Sequence, residues 1–151
     1  MKIHLEALKM FGENVFTWDK TCEECKKHGI FPVESPSAKQ KKQIRDILFD
    51  CLEYYVPLEN DVPLNGIFLF NPKKQDERLR TSDGYAFSID GKRAFIGLST
   101  ALLDMQNMEI YIRIVFLHEL CHLHAWEHNE EFENRTGKVF FDYFYYNSLS
   151  D

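Results

Sequence analysis

The segment from Ile110 to Leu117 is apolar nearly all round, broken by Arg113, and it runs directly into His118-Glu119-Leu120-Cys121-His122. That juxtaposition constrains the fold more than any other part of the chain. A helix apolar on every side is the buried central helix of a domain, whereas buried imidazole and carboxylate groups are costly unless a partner satisfies them. The pattern predicts a helix from Asn107 onward. Asn107 serves as its N-cap, and Glu109 sits in the first turn, where the helix dipole favours negative charge.

His118 and His122 stand at i and i+4, one above the other on a single helix face. Two imidazoles so placed can both reach one metal ion through bonds of about 2.0–2.1 Å. Glu119, the next residue round, points its carboxylate at the open side of that ion, where it can take a proton from an attacking water. This is the H-E-x-x-H arrangement of metal-dependent peptidases. His128 follows six residues after His122 and is expected as the third ligand, provided the helix breaks near Ala125-Trp126. Three His with one open position describe a catalytic zinc site, since structural sites use four protein ligands. His124, Glu127, Glu130, Glu131 and Glu133 lie nearby, so Glu131 or Glu133 stays open as an alternative third ligand. Two surface His and a Glu on an amphipathic helix are the competing reading; the apolar run before them and His128 after them speak against it.

The rest of the chain sets the frame. Its 151 residues suit a single domain, with residues 1–35 peripheral and a catalytic core over about 37–146. A net charge of −6 and a pI of about 5.5 argue against a nucleic-acid partner. The one basic stretch, Lys39, Lys41, Lys42 and Arg45, reads as the solvated face of a helix. The first residues lack the apolar run of a signal peptide, and no stretch approaches the ~18 apolar residues of a membrane span. The expectation is a soluble, cytoplasmic protein that keeps Cys22, Cys25, Cys51 and Cys121 reduced.

Local patterns predict the elements. Residues 1–10 alternate loosely and could begin a strand or a helix. Ser37 caps a helix over 37–55, in which Ile44, Ile47, Leu48, Cys51, Leu52 and Tyr55 recur at helical spacing. Gly66–Phe70 is a short strand, Asn71–Gly84 an exposed loop, and 85–98 a hairpin turning at Asp90-Gly91 through a two-residue connection. A last amphipathic helix spans about 129–146.

Three stretches together, Ile96-Gly97-Leu98-Ser99-Thr100-Ala101-Leu102-Leu103, His118-Glu119-Leu120-Cys121-His122-Leu123 and His128-Asn129-Glu130-Glu131-Phe132, resemble the SprT-like zincin metallopeptidases, a group that includes the YgjP-type bacterial members. The likeness covers residues 60–140. It implies an α+β, zincin-like fold in which a short, mainly antiparallel sheet packs on helices, one of them the H-E-x-x-H helix. It also implies Zn2+ held by His118, His122 and His128, Glu119 as general base, and a peptide or protein as substrate. The spacing from His122 to His128 equals that of metzincins as well. Ala125 occupies the position of their Gly, however, and no Met follows His128, so that assignment is rejected.

Two further roles follow from the zincin comparison. The strand containing Phe95, Ile96, Gly97 and Leu98 would be the edge to which an extended peptide adds. Tyr143, with Tyr145 and Tyr146 as alternatives, would donate to the oxyanion. Cys22-Glu23-Glu24-Cys25 with His28 looks like half a zinc knuckle or a redox pair, against a plain helix carrying two thiols. Competing functions are a catalytically silent metal-binding module that regulates or binds a partner, and a redox or metal sensor working through Cys22 and Cys25. Oligomeric state is left open.

Overall fold

Alternation along the strands builds two cores on one sheet. In the computed structural model, which describes residues 17–149, β1 (Leu64–Phe70), β2 (Gly84–Ile89) and β3 (Arg93–Ser99) form a three-stranded sheet in the order β1-β3-β2. Residues 1–10, read as a possible strand or helix, lie outside the described residues. Ile67, Leu69, Ile96 and Leu98 point to one face, where they join the buried side chains of α2 (Ala38–Leu52), α5 (Glu109–Cys121) and α6 (Glu130–Leu149). Phe68, Phe70, Phe87 and Phe95 point to the other, against Cys25 and Ile30 of the N-terminal segment and Leu79 of the short α3 (Glu77–Arg80). Successive strand residues face opposite sides, so the period-2 pattern separates an aliphatic face from an aromatic one. The chain is thus α+β.

The sheet is mixed, not mainly antiparallel: β3 pairs parallel with β1 and antiparallel with β2. The expected edge strand carrying Phe95, Ile96, Gly97 and Leu98 is in fact the central one. The reason is visible in its burial. From Ala94 to Ser99 every residue of β3 is buried, whereas in β2 only Phe87 is. A strand apolar on both faces belongs in the middle of a sheet covered on both sides. Gly97 permits the close pairing with β1, because the Phe68 ring lies where a Cβ at Gly97 would stand.

Local signals account for most helix ends, including the short α4 (Thr100–Leu103), where the Ser99 side chain accepts the Ala101 N–H. Ser37 and Gln40 form a reciprocal capping box at the start of α2. Asp90 and Gly91 both take positive φ, 58° and 64°, at the β2–β3 turn, but the connection also takes in Lys92, because Ile89 pairs with Arg93. Asn107 is not the N-cap of α5. It adopts φ 60°, a left-handed turn conformation that Asn tolerates, and Met108 occupies the cap position, with Glu109 in the first turn as expected. The interruption at Arg113 is explained by Asp50 of α2, which accepts bonds from its Nε at 3.0 Å and its Nη2 at 2.5 Å. The start of α5 is open to solvent on one side, with Ile110 62% exposed.

Two other segments are more firmly built in than their composition suggests. Residues 71–83 are not a free loop. Pro72–Lys74 forms a 3-10 turn, Leu79 is buried, and the buried Gln75 amide bonds both the N–H and the carbonyl of Phe31. The expected peripheral stretch, from residue 17 to 35, contributes to the core. It does so through α1 (Trp18–Lys27), which buries Cys25, through Ile30, and through a bond from Val33 N–H to the Leu69 carbonyl.

Candidate metal centre

Helix α5 delivers His118, Glu119 and His122 to one end of the aliphatic core, and the chain then stops being helical earlier than expected. The helix ends at Cys121 with His122 as its C-cap, a turn ahead of Ala125-Trp126. Residues 122–129 loop back, and α6 begins where the Asn129 side chain accepts the Phe132 N–H at 3.0 Å. The loop returns His128 to the two helical imidazoles. Among the described residues, His118, His122 and His128 form the group of side chains able to hold a metal ion, with ligand atoms all within 4.8 Å of one another.

One pair of the cluster already has the spacing of two ligands on a tetrahedral ion. The Nε2 atoms of His122 and His128 face each other at 3.1 Å. Two ligands on one zinc at about 2.0–2.1 Å would stand roughly 3.3 Å apart. The Ala125 carbonyl lies 3.2 Å from His122 Nδ1 and can only accept, so Nδ1 carries the proton and Nε2 keeps its lone pair. Phe132 is the shared support for all three rings, at centroid distances of 5.1 Å from His118, 4.5 Å from His122 and 4.8 Å from His128. Burial pushes His122 down to about 4 and lowers His118 as well, with His128 adding to the effect. Both imidazoles are therefore neutral near pH 7, the form that binds a metal.

Glu119 is 6% exposed, and its Oε2 is buried without a hydrogen-bond partner. Its Oε1 lies 3.9 Å from His118 Nε2. Burial alone pushes this carboxyl up to about 8. A dication beside it would restore the charged form. An orphaned carboxylate oxygen next to three converging imidazoles is thus a feature that a bound cation would complete. A groove of about 370 Å³ opens onto His118 and Glu119, walled by Asp83, Gly84, Tyr111, Ile114, Val115 and Phe140. Gly84 makes this approach possible: a Cβ there would stand 2.9 Å from Val115 Cγ1 and 3.1 Å from Glu119 Cγ.

Other expected residues lie elsewhere. Tyr143 is not at the centre. It is buried against Tyr54, with ring centroids 5.0 Å apart, and faces the Arg113 end of α5, because α6 carries it three turns beyond Phe132. Tyr145 and Tyr146 are exposed further along the same helix. Glu131 is engaged by His124 Nε2 at 3.1 Å and is not among the clustered ligands. Cys22 and Cys25 are free thiols on α1, His28 stacks on Phe87, and the three do not converge as a ligand set. Sequence reasoning missed Asp61. Its side chain, 2% exposed, receives the Tyr55 hydroxyl, the Leu58 N–H at 3.0 Å and His124 Nδ1 at 2.9 Å. An aspartate in a Pro-flanked loop far from the motif carries no local signal of this role. No protein-family model, curated protein or solved structure matches the chain.

Proposed function

We propose that this protein is a zinc-dependent hydrolase of the zincin type that cleaves peptide bonds. The observation that carries the reading is the buried, half-unpartnered Glu119 carboxylate beside the three converging imidazoles. His118, His122 and His128 would hold the ion, with Phe132 keeping their rings in place. A divalent ion there supplies Lewis acidity, which activates water and polarises a carbonyl. Glu119 accepts the proton of the attacking water and delivers it to the leaving amine. Zinc is favoured by an all-imidazole donor set with an open position, and the peptide as substrate rests on the SprT-like resemblance.

The groove beside Gly84 gives the substrate a direction. Among the described residues β3 is central and β2 is an outer strand whose Gly84 packs against the Glu119 stem, so an extended peptide would lie along β2 and not along β3. The test is hydrolysis of a diverse set of quenched fluorescent peptides by zinc-loaded wild type and by Glu119→Gln. The variant should retain zinc and lose roughly 10²–10⁴-fold in turnover. Undiminished turnover in Glu119→Gln would overturn the mechanism. Zinc retention by a wild type inert to every peptide would favour the silent metal-binding module instead.

A further inference from the structure

We infer that His124 is a positioning residue, clamped between Asp61 and Glu131, that sets the geometry of the three-His cluster without touching the ion. The inference rests on the metal-centre reading above and extends it to residues outside the ligand set. His124 lies in the turn that separates His122 from His128. Its Nδ1 meets the buried Asp61 carboxylate at 2.9 Å, and its Nε2 meets Glu131 Oε1 at 3.1 Å. One partner belongs to the loop that precedes β1, the other to the first turn of α6. The imidazole therefore ties the turn to both neighbouring segments at once.

A second tie runs parallel to the first. Val62 donates its N–H to the Leu123 carbonyl at 2.9 Å, so two successive residues of the turn are held by two successive residues of the Asp61 loop. Asp61 is itself fixed by the Tyr55 hydroxyl and the Leu58 N–H. Tyr55 in turn lies under Arg135 of α6, whose guanidinium sits 4.3 Å from the ring centroid. These contacts place the turn against a rigid frame instead of leaving it as a free connection.

The consequence for the site is direct. Ala125, whose carbonyl fixes the His122 tautomer, is the residue after His124. His128 leaves the same turn four residues on and has no helix of its own to orient it. An unclamped 122–129 loop would let both drift. Groups that hold ligands in place, themselves unligated, are worth about 10–100-fold in metal affinity when removed.

The test uses the full chain stripped of metal and titrated with Co2+, reading affinity and the visible d–d spectrum, which reports ligand number and geometry. His124→Leu removes the contacts to both Asp61 and Glu131 and leaves the Val62–Leu123 backbone bond in place. It should bind Co2+ about 10–100-fold more weakly, with a spectrum shifted toward that of His128→Ala. Glu131→Gln, which alters only the exposed end of the clamp, should move in the same direction by a smaller factor. A merely structural role would lower Tm and leave the spectrum of the bound ion unchanged. Wild-type affinity and spectrum in both variants would overturn the proposal. If His124→Leu does not fold, Glu131→Gln decides alone. Failure of wild type itself to bind Co2+ would overturn the metal centre and the clamp together, an outcome distinct from weakening confined to the variants.

Discussion

His122 and His128 present their Nε2 atoms to each other at 3.1 Å across a turn of the chain that is not helical. The two are unequal in burial: His122 is buried, stacked on Phe132 and bonded to Ala125, whereas His128 is exposed. Their substitutions should separate accordingly. His128→Ala should abolish tight metal binding while changing apo stability by no more than about 0.5 kcal/mol, as surface substitutions do. His122→Ala should abolish binding and also destabilise the apo protein by roughly 1–3 kcal/mol, because it orphans the Ala125 carbonyl. Metal analysis by plasma emission and urea denaturation of the apo proteins measure the two effects.

Gly84 is a position at which the sheet edge touches the site helix, and its missing side chain is a requirement of that contact. Gly84→Val would drive a branched Cβ into Val115 and the Glu119 stem. Overpacking of this kind costs about 1–3 kcal/mol. Zinc stoichiometry should survive, because the side chains nearest the added Cβ are Val115 and Glu119 and not the three His, but any Glu119-dependent hydrolysis should fall. Chemical denaturation together with metal content and peptide turnover checks this.

Tyr143 is buried in the core against Tyr54, at the Arg113 end of α5. Tyr143→Phe should therefore leave metal affinity and turnover within about twofold of wild type. Tyr143→Ala should cost about 3–5 kcal/mol, the range for deleting a buried aromatic ring, with the edge contact to Tyr54 lost. Equal losses of turnover in the Phe and Ala variants, with stability of the Phe variant intact, would return Tyr143 to the catalytic machinery.

The four thiols give a direct check on the redox reading. Cys22, Cys25, Cys51 and Cys121 are all free and buried, and burial raises each thiol above its usual range. A thiol that stays protonated and inaccessible is a poor nucleophile. None should react rapidly with a disulfide reagent in the native protein near neutral pH, and all four should titrate once the chain is unfolded. A fast-reacting pair in the native state would bring Cys22 and Cys25 back as a functional couple.

The elements read from the chain are those whose signals are short-range. The Ser37-x-x-Gln40 box, the helical spacing from Ile44 to Leu52, the Asp90-Gly91 turn and the H-E-x-x-H face each depend on residues within a few positions, and each is present. His128 was also legible, since a His six residues past the motif can return once the helix ends. Where local inference failed, a distant partner made the difference. Asn107 satisfied the composition of a cap but took up the left-handed turn instead. The 71–83 segment was polar enough for a loop, yet Gln75 found Phe31.

The sequence by itself determined which residues could serve chemistry and on what local scaffold: two imidazoles and a carboxylate on one helix, a third imidazole after a break, and a sheet of short apolar strands. Helix periodicity and turn stereochemistry act over a few residues, so they can be read without the fold. Only the tertiary structure decided that β3 lies between β1 and β2, that Tyr143 is carried away from the three-His cluster, and that His124 is held between Asp61 and Glu131. Those outcomes depend on pairings between segments far apart in the chain. Burial on both faces, helix direction and loop closure select among such pairings, and no short window of sequence contains them.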